Sequence, residues 1–281
     1  MRPAKTAVVT IAHGRHEHLR GQAWGLRQQT RPADLYVVVA MGDPEVAAVA
    51  REQHPEVVAL EVAPVGSDLP LAEARNAGAG AAIRAGADVL VFLDVDCIPD
   101  TTTVARYADV LTTAVSRRPV VACGEVSYLP PVGHPAEYRA PGLADRARPH
   151  PARPVPRPVA VLVAEDTRLF WSLSFAVTAD DWLALGGFDE AYVGYGAEDT
   201  DFGQRLTAAN GELLWVGGAA AYHQHHPTDV PPVHHLRAIV RNANIFHDRW
   251  GWFPMEAWLA EFATRGLAEL DHATGRWRVS P

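Results

Sequence analysis

The sequence predicts an α/β domain in which helices flank a doubly wound, mostly parallel sheet. Through the first 125 residues, short apolar runs rich in β-branched residues alternate with segments of helical character. These runs start about 20–30 residues apart, which is the spacing of βαβ units. The chain has 281 residues, of which 48% are hydrophobic and 21% are charged, so it can bury a sizeable core.

The boundaries of the elements follow from these runs and from the turn residues that separate them. The predicted strands are residues 7–12, 36–40, 57–62, 89–93, 169–177 and 212–216. The predicted helices are residues 19–29, 45–53, 71–85, 179–185, 201–209, 233–249 and 255–269.

Residues 129–158, which we call the proline-rich segment, contain nine prolines and five arginines. A proline every third or fourth residue is incompatible with a regular helix or a central strand. The segment is therefore either a surface excursion or a mobile loop that covers a bound ligand.

The charge balance restricts the possible ligands. The chain has 25 Lys and Arg against 33 Asp and Glu, and Lys5 is the only lysine. An acidic chain without a basic run is unsuited to nucleic acid, and a phosphorylated ligand would need arginine, a helix N-terminus or a metal. No apolar run approaches a membrane span and no signal peptide is evident, so we expect a cytoplasmic protein. Cys97 and Cys123 cannot form a disulfide framework.

Two carboxylates follow the fourth predicted strand. Asp94 and Asp96 lie on the same face of an extended chain and can converge on one cation at the carboxyl edge of the sheet. Magnesium and manganese prefer such oxygen ligands. Arg75, on the preceding helix, is either a surface residue or a charge partner for a bound diphosphate.

The stretch from Gly186 to Phe202 carries the strongest signal of a site. Gly194 and Gly196 flank an aromatic residue, which indicates a tight turn or a close approach of the backbone. Three acids then crowd a helix start, namely Glu198, Asp199 and Asp201. One or two acids would favour the helix dipole, but this density indicates site carboxylates and a general base with a raised pKa.

Three histidines lie within four residues after the sixth predicted strand: His223, His225 and His226. Neutral imidazole is a common ligand of transition metals, so we expect at least one of them to be functional. The sequence leaves open which one.

Together these residues resemble the nucleotide-diphospho-sugar glycosyltransferases of the GT-A fold, and in particular family 2 enzymes with a galactosyltransferase-type C-terminal motif. The resemblance rests on ARN at 74–76, DVD at 94–96, GFDE at 187–190, GYGAEDTD at 194–201 and His223. It implies one GT-A domain over residues 1–281. The expected parts are a nucleotide-binding half at 1–125, the Pro/Arg-rich loop at 126–168, a catalytic half at 169–230 and C-terminal helices at 231–281.

The resemblance also implies a reaction and its partners. It implies inverting transfer of a hexose from a nucleotide-diphospho-sugar donor, expected to be a UDP-hexose, to an acceptor hydroxyl with Mn²⁺ or Mg²⁺. Asp96 would ligate the metal, with Asp94 on the ribose or in the metal shell. His223 would be the third protein ligand and His225 its main rival.

The remaining roles that the resemblance implies concern the base and the donor. Asp199 would be the general base, and Glu198 would hold sugar hydroxyls. The donor-binding residues would be Thr10, Ala12, Asp43, Arg75, Asp94, Val95, Tyr195 and Gly196, with Tyr195 stacking on a sugar ring.

Two alternatives use the same nucleotide site. A sugar nucleotidyltransferase or diphosphatase would need a catalytic lysine or glycine-rich phosphate loop, and Lys5 lies too near the terminus. A nucleotide-sugar-binding protein without turnover would have no use for the Glu198–Asp199 pair. The sequence identifies neither the acceptor nor the oligomeric state.

Overall fold

The computed structural model describes residues 3–113, 116 and 118–280. The α-helices are α1 (His16–Arg27), α2 (Pro44–Gln53), α3 (Leu71–Arg84), α4 (Thr103–Thr113), α5 (Leu143–Arg146), α6 (Ala179–Leu185), α7 (Glu198–Ala208), α8 (Leu236–Trp250) and α9 (Glu256–Thr264). The strands are β1 (Thr6–Ala12), β2 (Leu35–Met41), β3 (Val58–Val62), β4 (Val89–Leu93), β5 (Cys97–Pro99), β6 (Val120–Tyr128), β7 (Arg148–Pro149), β8 (Val161–Val163), β9 (Ser174–Thr178), β10 (Glu212–His223), β11 (Ala268–Asp271) and β12 (Arg276–Val279). Short 3-10 helices cover Pro135–Tyr138, Thr167–Leu169 and Val233–His235.

The central sheet has the strand order β3-β2-β1-β4-β9-β6-β10-β5, with β7 and β8 added beside β6 and β10. Strands β1 to β4 pair in parallel, and so do β6 and β10. Strand β9 is antiparallel to both of its neighbours, β4 and β6. The predicted architecture, a mostly parallel α/β sheet flanked by helices, is confirmed.

Helices cover both faces of this sheet because the side chains of its strands alternate. In β1, Val9 packs in a core layer with residues of α3 and α6, whereas Val8 packs in a second layer with residues of α1, α2 and α4. All seven residues of β1 are buried, which is typical of a strand in a sheet covered on both faces. The carboxyl ends of β1 and β4 therefore meet at one edge, where the candidate site lies.

Two predictions in the second half of the chain are wrong in part. The strand predicted over 169–177 is confined to β9, because residues 167–169 form a 3-10 turn capped by Asp166. The helix predicted over 255–269 ends at Thr264, and the chain then forms the hairpin β11-β12. Trp277 and Val279 of the hairpin pack against α8 and α9, so the C-terminal region is not purely helical. This long-range packing outweighs the local helical pattern.

Strand β10 is longer than the predicted strand 212–216. It continues to His223 through an irregularity between Val216 and Ala221. The glycine- and alanine-rich stretch after Val216 lacks β-branched residues, so the sequence pattern ends early. The extension matters because it carries His223 to the site.

The proline-rich segment is folded onto the domain. It contains a 3-10 helix, α5 and the short strand β7, and Tyr138 and Leu143 are buried in a small core of their own. Cys97 and Cys123 are buried and free. In the described part of the chain, no helix is both long enough and apolar enough to cross a membrane.

Candidate active site

Asp96 meets two histidines where β4 ends. Its neighbour Cys97 begins β5, which pairs with the end of β10 so that Cys97 lies opposite His223. The backbone N–H of Gln224 donates to the Asp96 carbonyl at 2.8 Å and holds the chain after β10 at this position. His223 and His226 consequently both face the Asp96 carboxylate.

The spacing of these side chains fits a divalent cation. Asp96 Oδ1 lies 3.5 Å from His223 Nε2, and Asp96 Oδ2 lies 3.2 Å from His226 Nε2. Two ligands at right angles, each about 2.1 Å from an octahedral ion, would lie about 3.0 Å apart. One ligand atom from each residue falls within a group no wider than 4.8 Å. A carboxylate with two imidazoles is a donor set that manganese accepts.

The electrostatics favour the ligating forms of Asp96 and His223. Burial alone would raise the pKa of Asp96, but the facing His223 and His226 outweigh it and lower this pKa to about 2. Burial lowers the pKa of His223, which favours the neutral imidazole. An ionised carboxylate and a neutral imidazole are the forms that bind metals.

His226, and not His225, joins this group. The side chain of Gln224 is buried and donates to the His18 carbonyl at 3.0 Å. This inward turn leaves His225 exposed and outside the group. The structure therefore does not bring the predicted rival ligand His225 to Asp96.

Arg75 links the two acidic regions of the site. Its guanidinium donates to Asp94 Oδ1 at 3.1 Å and to Glu198 Oε1 at 3.3 Å, and only 5% of the side chain is exposed. Burial, partly offset by Arg75, raises the pKa of Asp94 to about 6 and that of Glu198 to about 7. Arg75 is therefore occupied by the chain's own carboxylates, and the prediction that it partners a diphosphate is not supported by its contacts.

Asp199 is the more accessible member of the acidic pair. It is partly exposed at the start of α7, whereas Glu198 is buried and held by Arg75. The N–H of Thr200 donates to Asp199 Oδ1 at 2.7 Å, and Oδ2 has no hydrogen-bond partner among the residues that the structure describes. Burial raises the pKa of Asp199, with Arg75 acting in the opposite direction.

Asp201 belongs to the core and not to the site. It is fully buried and accepts hydrogen bonds from four donors, which are Tyr192 Oη, Arg205 Nε, Arg249 Nη1 and Trp250 Nε1. These bonds fasten α7 to α8. The sequence-based expectation that Asp201 is a site carboxylate is therefore wrong.

The Gly-Tyr-Gly turn is shaped by packing against the C-terminal helices. Gly194 and Gly196 have φ of 73° and 102°, values that favour glycine. A Cβ on Gly194 would meet Ala238 at 2.7 Å, and one on Gly196 would meet Met255 at 2.9 Å. The expected close approach of the backbone is thus confirmed, and it is made to the chain itself.

Tyr195, between these glycines, is 40% exposed, and its ring stacks on His235 at 4.8 Å. Trp258 lies beside it at 6.0 Å. The ring that was predicted to stack on a sugar is therefore stacked on an imidazole.

Two of the predicted donor-binding side chains are buried, and two more are only partly exposed. Thr10 and Ala12 are each only 1% exposed, and the Thr10 hydroxyl donates to Gln22. Asp43 caps α2 by accepting from the N–H of Glu45, and it also accepts from the N–H of Gly14. Val95 packs against the sheet core. These residues form part of the sheet edge on which the site lies.

Arg15 escaped the sequence analysis, whereas Asn76 belongs to the ARN motif that the sequence analysis singled out. Arg15, in the loop between β1 and α1, acts electrostatically on Asp96 and His223, and its side chain makes no hydrogen bond or ion pair with any described residue. The amide of Asn76 accepts from the N–H of Phe188 and donates to its carbonyl, both at 2.8 Å. A single arginine after a first strand carries no distinctive pattern. The ARN and GFDE motifs, in contrast, contact each other, because Asn76 of the first motif is hydrogen-bonded to the backbone of Phe188 in the second.

Comparisons with known proteins agree with this fold. Residues 165–228 match the family model described as the N-terminal domain of galactosyltransferase. Two validoxylamine A glucosyltransferases, from Streptomyces hygroscopicus subsp. jinggangensis (strain 5008) and subsp. limoneus, are each 46% identical over 39 residues. That stretch is 14% of this chain and 9% of the length of each relative.

A solved structure of GalNAc-T7 with UDP, GalNAc and Mn²⁺ is similar to the chain, with a TM-score of 0.57 and 13% identity. The similarity covers 94% of this chain and 57% of the other. It shows that the fold is the GT-A glycosyltransferase fold.

Proposed function

We propose that this chain is an inverting, divalent-metal-dependent glycosyltransferase of the family 2-like kind. It would move a hexose from a nucleotide-diphospho-sugar, a UDP-hexose in the first instance, to an acceptor hydroxyl. The proposal rests on one observation: a possible metal site and a pair of acidic residues are connected at one edge of the sheet. Asp96 with its two histidines stands two residues from Asp94, and Arg75 joins Asp94 to Glu198, the neighbour of Asp199.

The first group explains how an acidic chain can hold a diphosphate. Asp96, His223 and His226 would hold Mn²⁺ or Mg²⁺, which when bound neutralises phosphate charge and stabilises the departing nucleotide. Arg15 lies within electrostatic range of Asp96 and His223 and is not paired with the carboxylates described in the structure. Arg15 would therefore contact the same phosphates.

The second group supplies the base. An acceptor hydroxyl must lose its proton as it attacks, and a carboxylate within hydrogen-bond reach can take it. Asp199 has an oxygen with no hydrogen-bond partner among the described residues and a pKa raised by burial, which makes it a stronger proton acceptor. Glu198 cannot serve because it is buried against Arg75.

The arrangement favours inversion. The acceptor oxygen forms its bond to the anomeric carbon while the bond to the diphosphate breaks, and the hydroxyl proton passes to Asp199. A retaining enzyme that works by double displacement would need a second free carboxylate as a nucleophile. Asp94 and Glu198, the nearby candidates, are both held by Arg75.

A thermal-shift panel of UDP-, GDP- and TDP-sugars, each with Mn²⁺ or with EDTA, tests the proposal. A ligand present at 100 times its Kd stabilises the folded state by about 2.7 kcal/mol, which raises the Tm of a chain of this size by about 5–10 °C. We expect that shift for UDP-sugars with Mn²⁺ and little shift with EDTA. If no nucleotide sugar raises the Tm in the presence of Mn²⁺, the proposal is wrong.

A further inference from the structure

The proline-rich segment reaches the candidate site through β7. This strand pairs antiparallel with the end of β6, so that Arg148 lies opposite Tyr128 and Pro149 opposite Ser127. The ring of the next residue, His150, lies near that of Tyr128. Tyr128 in turn faces the metal-site histidine His223, with their ring centroids 4.9 Å apart.

Three rings form a continuous surface from this point, which we call the aromatic wall: Tyr128, His150 and Trp171. The centroid of His150 is 6.1 Å from that of Tyr128 and 4.8 Å from that of Trp171. All three side chains are partly exposed. Trp171 stands just before β9, two residues from Leu173, whose carbonyl accepts from the Asp94 N–H at 2.9 Å. The wall thus adjoins both the metal group and Asp94.

A buried arginine from the same segment anchors the wall. Arg153 is 8% exposed, and its guanidinium donates to the carbonyls of Leu169, at 2.8 Å, and Trp171, at 3.3 Å. It also lies 4.5 Å from the centroid of the Trp171 ring and 5.1 Å from that of Trp215. It has no carboxylate partner among the residues described. Burying an unpaired cation is costly, and a passive surface excursion would not require it.

We propose that Tyr128, His150 and Trp171 bind the pyranose ring of a substrate, with Arg153 as the positioning residue that fixes Trp171. A pyranose has an apolar C–H face and a polar rim, and aromatic side chains with polar edges match both. The inference rests on the proposed function, because the wall begins at His223. The ring bound there is either the hexose of the donor or a sugar ring of the acceptor.

The test uses the full chain and two kinds of probe. Calorimetry with Mn²⁺ compares UDP with UDP-glucose and UDP-galactose, which reports the donor hexose. Saturation-transfer NMR with methyl glucoside and methyl galactoside, with and without UDP, reports an acceptor ring. The variants are Trp171→Ala and His150→Ala, with His272→Ala, an exposed histidine in the β11-β12 turn, as the control.

We expect Trp171→Ala to weaken pyranose binding about tenfold and to leave UDP binding within twofold, because one aromatic contact is removed. A loss seen only with UDP-sugars assigns the wall to the donor, and a loss seen with methyl glycosides assigns it to the acceptor. If both wall variants bind every pyranose probe as the wild type does, or if the wild type binds none, the inference is overturned. Absence of UDP binding to the wild type would instead refute the proposed function, and the methyl glycoside arm without UDP would still decide the role of the wall.

Arg153→Lys, with Arg157→Lys as the matched control, tests the positioning role. Arg157 is exposed and lies in the same segment. We expect Arg153→Lys to weaken pyranose binding selectively while UDP binding with Mn²⁺ is kept, and Arg157→Lys to change neither. An equal loss for both probes, in step with a lower Tm, would show that Arg153 is only structural.

Discussion

Replacing Arg75 by methionine would remove the one guanidinium that bridges Asp94 and Glu198. Removing one partner of a buried ion pair costs about 3–5 kcal/mol of folding stability when the group left behind stays charged. Here the carboxyls can take up protons instead, because burial already raises their pKa values to about 6 and about 7. Without Arg75 both pKa values rise further, so the stabilisation from Arg75 is present at high pH and is lost as the pH falls through this range.

We therefore expect Arg75→Met to lower the Tm by about 10 °C at pH 8.5 and by less than half of that at pH 5.5. Differential scanning fluorimetry across this range measures the effect. Arg84→Met is the matched control, since Arg84 is an exposed arginine at the end of the same helix, α3. A loss of Tm that is independent of pH, or equal in the two variants, would refute this account of the network.

Two further substitutions distinguish a residue with a catalytic role from a residue that stabilises the fold. Asp199→Asn should reduce the release of UDP from a UDP-hexose by about 10²–10⁴-fold, because the base is lost, and should leave UDP affinity within twofold; a parallel loss of UDP affinity would contradict the assigned role. Asp201→Ala should lower the Tm by about 10 °C, because Arg249 and Trp250 lose the fully buried carboxylate that accepts from both, without changing Mn²⁺ affinity in calorimetry. Unchanged stability would show that Asp201 does not hold α7 to α8.

The first half of the fold could be predicted because its elements are set by local patterns. The runs at β1, β2, β3 and β4 are short and bounded by turns, and the helices between them suit βαβ units. The local sequence pattern gave the wrong secondary structure where tertiary contacts determine it. Trp277 pairs with a neighbouring strand and packs on α8, which no local period reveals.

The site was predictable in its chemical types and less so in its individual residues. Asp96 was predicted from its place after a buried strand, whereas His223 was predicted only from the resemblance. The choice between His225 and His226 depends on the inward turn of Gln224, which is a contact with His18, 206 positions away. Likewise, the sequence does not distinguish Asp201 from its acidic neighbours. The hydrogen bonds that Asp201 accepts from Arg249 and Trp250 of α8 make the difference. Arg15 carries no local signature, and the aromatic wall depends on the long-range pairing of β6 with β7.

The central claim is that Asp96, His223 and His226 hold a cation through which the chain binds a nucleotide. Calorimetry of UDP with Mn²⁺ and with EDTA, on the wild type, His226→Ala and His225→Ala, tests it most directly. The account predicts UDP binding that requires Mn²⁺, is weakened at least tenfold in His226→Ala and is within twofold of the wild type in His225→Ala. Equal UDP affinity with Mn²⁺ and with EDTA, or a greater loss in His225→Ala than in His226→Ala, would contradict it.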